Sequence, residues 1–86
     1  MTDRPTSDVI LTVLTNILRR LCELDRLELS PDMPLVDIPG IDSLRILQTV
    51  ALAEEHFRME IDVVALENLH RVRDVMNAIA PAPPEV

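Results

Sequence analysis

Pro39-Gly40-Ile41-Asp42-Ser43-Leu44-Arg45-Ile46-Leu47-Gln48 is the stretch on which the fold turns. Pro39 and Gly40 break regular structure, and Asp42 and Ser43 both suit a helix N-terminus, so a helix starts here. Placed at about 100° per residue, Ile46, Leu47, Val50, Ala53 and Phe57 form a buried arc of a helix running to about Arg58. Arg45, Gln48, Thr49, Glu55 and His56 are expected on the opposite side. Leu52 is an apolar exception near the centre of that polar face.

Upstream, Thr6 or Ser7 is placed to cap an earlier helix, with Asp8 in its first turn. Ile10, Leu14, Ile17, Leu21 and Leu24 fall on one face, widened by Val13 and Leu18, and the pattern runs out near Leu24. Between the two helices, Ser30-Pro31-Asp32, Pro34 and Pro39-Gly40 forbid regular structure, while Leu27, Leu29, Leu35, Val36 and Ile38 are candidate anchors onto the core. So long a connection points to function.

Downstream, Asp62 is placed to cap a brief helix holding Val63, Val64 and Leu66. A last helix, with His70 at its start, carries Leu69, Val72, Val75, Met76 and Ile79, and Pro81 ends it. The expectation is one all-α domain over residues 1–80, with three main helices and one short one, and a Pro-rich tail over 81–86.

Composition narrows the function. The 86 residues are 48% hydrophobic, and one cysteine, Cys22, allows no internal disulfide, so packing must hold the fold. Fifteen acidic residues stand against eight arginines and no lysine, a formal net charge of −7, which repels phosphate backbones and anionic membranes. Phe57 is the only aromatic residue and Gly40 the only glycine, which excludes a base-stacking platform and a Gly-rich phosphate loop. There is no signal-peptide pattern and no apolar run near the roughly 18 residues of a membrane span, so a soluble, cytoplasmic monomer is expected.

Cys22, His56 and His70 invite a Cys-His catalytic reading. Cys22, however, falls at the edge of the buried face of the first helix, no metal-ligand spacing exists, and the pairs Glu54-Glu55 and Asp25-Glu28 read as solvated surface. A non-catalytic protein is expected.

Gly40-Ile41-Asp42-Ser43-Leu44 resembles the G-x-D-S-L signature of phosphopantetheine-binding carrier proteins, the acyl carrier protein family. Leu29-Ser30-Pro31-Asp32-Met33-Pro34-Leu35 is similar to the family's apolar-Pro-Asp-x-x-Leu loop, and the run from Ala51 to Ile61 to the end of its second helix. Taken alone, Asp42-Ser43 is an ordinary helix cap. The conjunction with the Pro-rich loop, the helix count, the size and the acidity favours a cap that doubles as a modification site.

The resemblance implies that Ser43 carries a covalent 4′-phosphopantetheine arm from coenzyme A, installed by a separate phosphopantetheinyl transferase that uses magnesium. Asp42 then orients that enzyme's metal or basic groups, and Leu44 lies beside the arm. The cargo rides as a thioester and is delivered to acyl-loading and acyl-processing enzymes such as a ligase, synthase or transferase. The alternatives are a peptidyl or aminoacyl carrier of a nonribosomal peptide pathway, and a helical interaction protein in which Ser43 only caps.

Three departures from the family pattern bear on partners. Pro39 lengthens the approach to the signature by one residue, and Arg45 and Gln48 stand where acidic residues are usual. Leu52 sits in the expected docking face, made up of Arg45, Gln48, Thr49, Leu52 and His56. Together they point to a discrete carrier of specialised metabolism, polyketide or related, rather than a housekeeping fatty-acid carrier.

Overall fold

The computed structural model describes residues 6–79, which form helices α1 (Ser7–Leu21), α2 (Ser43–Phe57), α3 (Val63–Leu66) and α4 (Val72–Ile79), with a 3₁₀ turn at Leu35–Asp37. Among the described residues there is no strand. This is the all-α bundle of three main helices and one short helix that the periodicity predicts. Met1 to Pro5, the stop at Pro81 and the tail over 81–86 lie outside the described residues.

The core is aliphatic. Ile10, Leu14 and Leu18 of α1, Val50 and Ala53 of α2, and Val72, Val75, Met76 and Ile79 of α4 are buried together with Leu35, Ile38 and Ile61. With Phe57 only half-buried against it, stability comes mainly from the sum of many small apolar burials.

Caps set the helix limits. The Thr6 hydroxyl accepts from the Val9 N–H at the start of α1, and the Asp62 carboxylate accepts from the Val64 N–H at the start of α3. Helix α1 stops three residues earlier than expected. Glu23 takes a left-handed φ of 54°, and the Leu24 N–H reaches back to the Arg19 carbonyl, a Schellman closure. Helix α2 ends the same way, with Arg58 left-handed and the Met59 N–H bonded to the Glu54 carbonyl. Neither left-handed residue is a glycine, so the sequence carries no stop signal there.

The long connection after α1 is tied down. The Arg19 Nε donates to the Leu27 carbonyl, and the strip Pro31–Leu35 exchanges backbone bonds with His70–Arg73. The Arg71 guanidinium donates to the Asp32 carbonyl, and Arg73 pairs with the Asp32 carboxylate. Leu35 and Ile38 are buried anchors, and Leu27 and Leu29 are half-buried. Val36 is not an anchor but exposed, because the 3₁₀ turn brings Leu35 and Ile38, three apart, onto its inner face and leaves Val36 and Asp37 between them outside.

His70 precedes α4 by two residues rather than starting it. The approach to α4 is organised by Asp74, whose carboxylate accepts from the backbone N–H groups of Arg71 and His70. Those two bonds, Arg71 first, hold its pKa below the ordinary carboxylate value.

Candidate functional site

Gly40 makes the turn that aims the site. Its φ of +80° is left-handed, a conformation only glycine adopts freely, although nothing blocks a side chain there sterically. Beyond it, the Ile41 N–H bonds the Ile38 carbonyl and the Ile41 side chain turns towards the core. The next residue, Asp42, is thereby delivered to the mouth of α2.

Asp42 alone is the cap. Its backbone is extended, and its Oδ1 accepts from the Arg45 N–H at 2.7 Å. Ser43 is the first helical residue, one step inside the cap position that the sequence suggests for it. This corrects that expectation, and the reason is competition: the longer carboxylate reaches the third N–H and leaves the serine no cap bond to make. The Ser43 hydroxyl is exposed and has no hydrogen-bond partner among the described residues. Its own N–H and that of Leu44 belong to the first turn, where α-helical donors lack intrahelical acceptors. A free hydroxyl beside free N–H donors at the positive end of a helix suits a phosphodiester. These residues therefore fit a serine-linked phosphopantetheine.

Arg45 is committed elsewhere. Its Nη1 donates to Asp42 Oδ2 at 2.9 Å, and its Nε donates to the Leu21 carbonyl at the C-terminus of α1. The start of α2 is thereby clamped to the end of α1. Both Asp42 oxygens are engaged by Arg45, one through its backbone and one through its side chain.

The roll of α2 differs from the expectation. Thr49, placed on the exposed side by the sequence pattern, is only 4% exposed, and Leu47, placed in the core, is 52% exposed. Thr49 tolerates burial because its hydroxyl donates to the Arg45 carbonyl at 2.8 Å, so no polar atom is stranded. It therefore has no surface to offer a partner.

The other expected face residues are outside. Gln48 and His56 are exposed, with the His56 ring edge-on to Phe57. Leu44 is 62% exposed beside Ser43, and Leu52 is 41% exposed. Leu52, Glu55 and His56 line an open groove of about 540 Å³ whose other wall is Ile17, Arg20 and Leu21 of α1.

A second feature lies inside. Leu14, Leu18, Ile41, Ile46, Val50 and Val72 surround an apolar crevice with about 10 Å³ of free room, at the threshold for one water molecule. Cys22 is half-buried just after α1, far in sequence from His56 and His70, and packs against the core. Among the described residues, no group of three or more His, Cys, Asp or Glu side chains is placed to hold a metal, and no helix is long and apolar enough to cross a membrane.

Comparison with known proteins agrees with this geometry. No curated protein matches the chain. The family described as phosphopantetheine attachment site matches residues 12–79, from the first turns of α1 to the end of α4. Members of that family carry a covalently attached 4′-phosphopantetheine, are modified by a phosphopantetheinyl transferase and are generally not catalysts themselves. With its helical fold and a match across most of its length, the chain belongs to the phosphopantetheine-binding carrier family, the acyl carrier proteins.

Proposed function

We propose that the chain holds an acyl intermediate as a thioester on an arm attached at Ser43 and delivers it to the enzymes of a specialised biosynthetic pathway, polyketide or related. The observation that carries this reading is the uncommitted Ser43 hydroxyl at the first position of α2, with the neighbouring Asp42 taking the cap bond in its place.

Ser43 lacks a base of its own, since Asp42 is engaged by Arg45 and no histidine is near it in sequence. Activation therefore falls to the transferase. The Ser43 oxygen forms a bond to the pantetheine-bearing phosphorus of coenzyme A, the pyrophosphate bond to the adenosine bisphosphate portion breaks, and the hydroxyl proton passes to a base on the transferase. The arm supplies the thiol that carries the cargo. The chain's own residues anchor the arm and present it, with Leu44 beside the attachment point.

Ile41-Asp42-Ser43 favours an acyl cargo over the aminoacyl alternative. In the conformation described, the core crevice has room for about one water molecule and not for an acyl chain.

Incubation of the purified chain with coenzyme A, magnesium and several broad-specificity transferases, followed by intact-mass measurement, tests the proposal. A gain of one phosphopantetheine is expected. An unchanged mass with every transferase would overturn it.

A further inference from the structure

Loading Ser43 adds a charge as well as a thiol. The phosphodiester at the root of the arm is anionic at any physiological pH, and the chain that takes it already has a formal net charge of −7. The preceding residue is another anion. Asp42 holds its carboxylate at the same mouth of α2, with the side chain 52% exposed. Anions on adjacent residues repel each other, and one helix N-terminus has few free N–H groups to divide between them.

Arg45 holds that acid from two sides. Its N–H donates to Asp42 Oδ1 at 2.7 Å and its Nη1 to Oδ2 at 2.9 Å. The guanidinium does not swing freely, because its Nε donates to the Leu21 carbonyl at 3.3 Å and its side chain is 39% exposed. A cation fixed in this way loses little further freedom in holding an anion. Other arginines are occupied or remote. Arg19 is tied to the Leu27 carbonyl, Arg71 and Arg73 to Asp32, and Arg58 follows the far end of α2, about 22 Å along the helix from Ser43. Residues two apart on a helix do not face each other, so Arg45 bears on Ser43 through charge rather than contact.

We propose that Arg45 is the built-in counter-charge of the loaded chain. By cancelling Asp42, it leaves the positive end of α2 to the phosphodiester on Ser43, and a helix N-terminus favours an anion. Without Arg45, the same modification sets two bare anions on adjacent residues. Arg45 is thus a positioning residue that acts through Asp42 rather than on the arm itself. The proposal rests on Ser43 being the attachment point.

The test compares the melting temperature of each loaded chain with that of its own unloaded form, so that the clamp lost in a variant cancels. Wild type, Arg45→Met, Arg45→Lys and Asp42→Asn are loaded to completion with excess broad-specificity transferase, coenzyme A and magnesium, and intact mass verifies loading. Melts followed by circular dichroism, with the arm's thiol kept reduced, are recorded at about 0.02 M and about 0.5 M salt.

At low salt, loaded wild type is expected to melt no more than about 2 °C below its unloaded form, or above it. Arg45→Met should lose about 3 °C or more on loading, and high salt should close that gap. Arg45→Lys keeps the charge without the Nε bond and should follow wild type. Asp42→Asn, in which Arg45 has no acid to hold, should gain on loading. An equal change on loading in wild type and Arg45→Met overturns the proposal while leaving the carrier reading intact. So does Arg45→Lys behaving as Arg45→Met, which would make the effect one of geometry, or Asp42→Asn losing as much as Arg45→Met. If variants at one of the two positions resist loading, those at the other decide. A wild type that never loads would instead sink the carrier reading itself, and the proposal with it.

Discussion

Replacing Arg45 by methionine separates a clamp from a docking residue. Methionine keeps the length and apolar stem of the side chain and removes its donors. Two interactions are lost: the exposed ion pair with Asp42 and the Nε bond to the Leu21 carbonyl. A half-exposed pair of this kind contributes about 0.2–1 kcal/mol, and a side-chain bond to a helix-end carbonyl about 1 kcal/mol. The sum is about 1.5 kcal/mol, a noticeable part of the roughly 4–13 kcal/mol expected for a chain of this size. At about 4–8 °C per kcal/mol, Tm should fall by about 6–12 °C. Thermal unfolding followed by circular dichroism reads this directly, and a cycle with Asp42→Asn, which retains a cap acceptor, isolates the pair. The coupling should be at most about 1 kcal/mol and shrink in high salt. A Tm within about 1 °C of wild type would refute the clamp and return Arg45 to the surface as a free cation.

Other outcomes follow from the same contacts. Because the folded pKa of Asp74 is lowered from 3.8, its contribution is fully present above that value and is lost as pH falls through the lower folded value. Asp74→Asn should therefore flatten the acid limb of stability below about pH 4 relative to wild type, as read by urea unfolding midpoints at a series of pH values. Thr49→Val, at a buried position whose hydroxyl bonds only its own helix, should change stability by no more than about 1 kcal/mol and leave transferase loading unchanged, as checked by melting and by intact mass.

The number and order of helices were legible because each has an unambiguous stripe or cap. Ile10, Leu14 and Leu18 repeat on one face of α1, Val72, Val75, Met76 and Ile79 on one face of α4, and Asp62 announces α3. The roll of α2 was not legible. Apolar residues occupy more than half of its circumference, from Leu44 to Leu47 to Leu52, so periodicity alone cannot say which arc is buried. Packing on α1 and α4 decides it, and a threonine that satisfies itself goes in while Leu47 stays out. The surplus of apolar surface was the available signal for an exposed leucine row.

Ser43 illustrates a finer limit. The sequence marks where α2 begins, but Asp42 and Ser43 are both competent caps, and one residue of register separates a serine consumed by the helix from one left free. Likewise, the end of α1 rests on a left-handed Glu23, for which the chain spends no glycine. Val36 looked like an anchor because it is apolar, and the 3₁₀ turn that exposes it has no sequence marker beyond Pro34.

The most direct measurement of the central claim is fragmentation mass spectrometry of the chain after loading, alongside Ser43→Ala treated identically. A single phosphopantetheine mapped to Ser43 is predicted, with none on Ser43→Ala even though the variant melts close to wild type, because Asp42 and not Ser43 holds the cap. An arm found on another residue, or a Ser43→Ala chain that still gains it, would contradict the account.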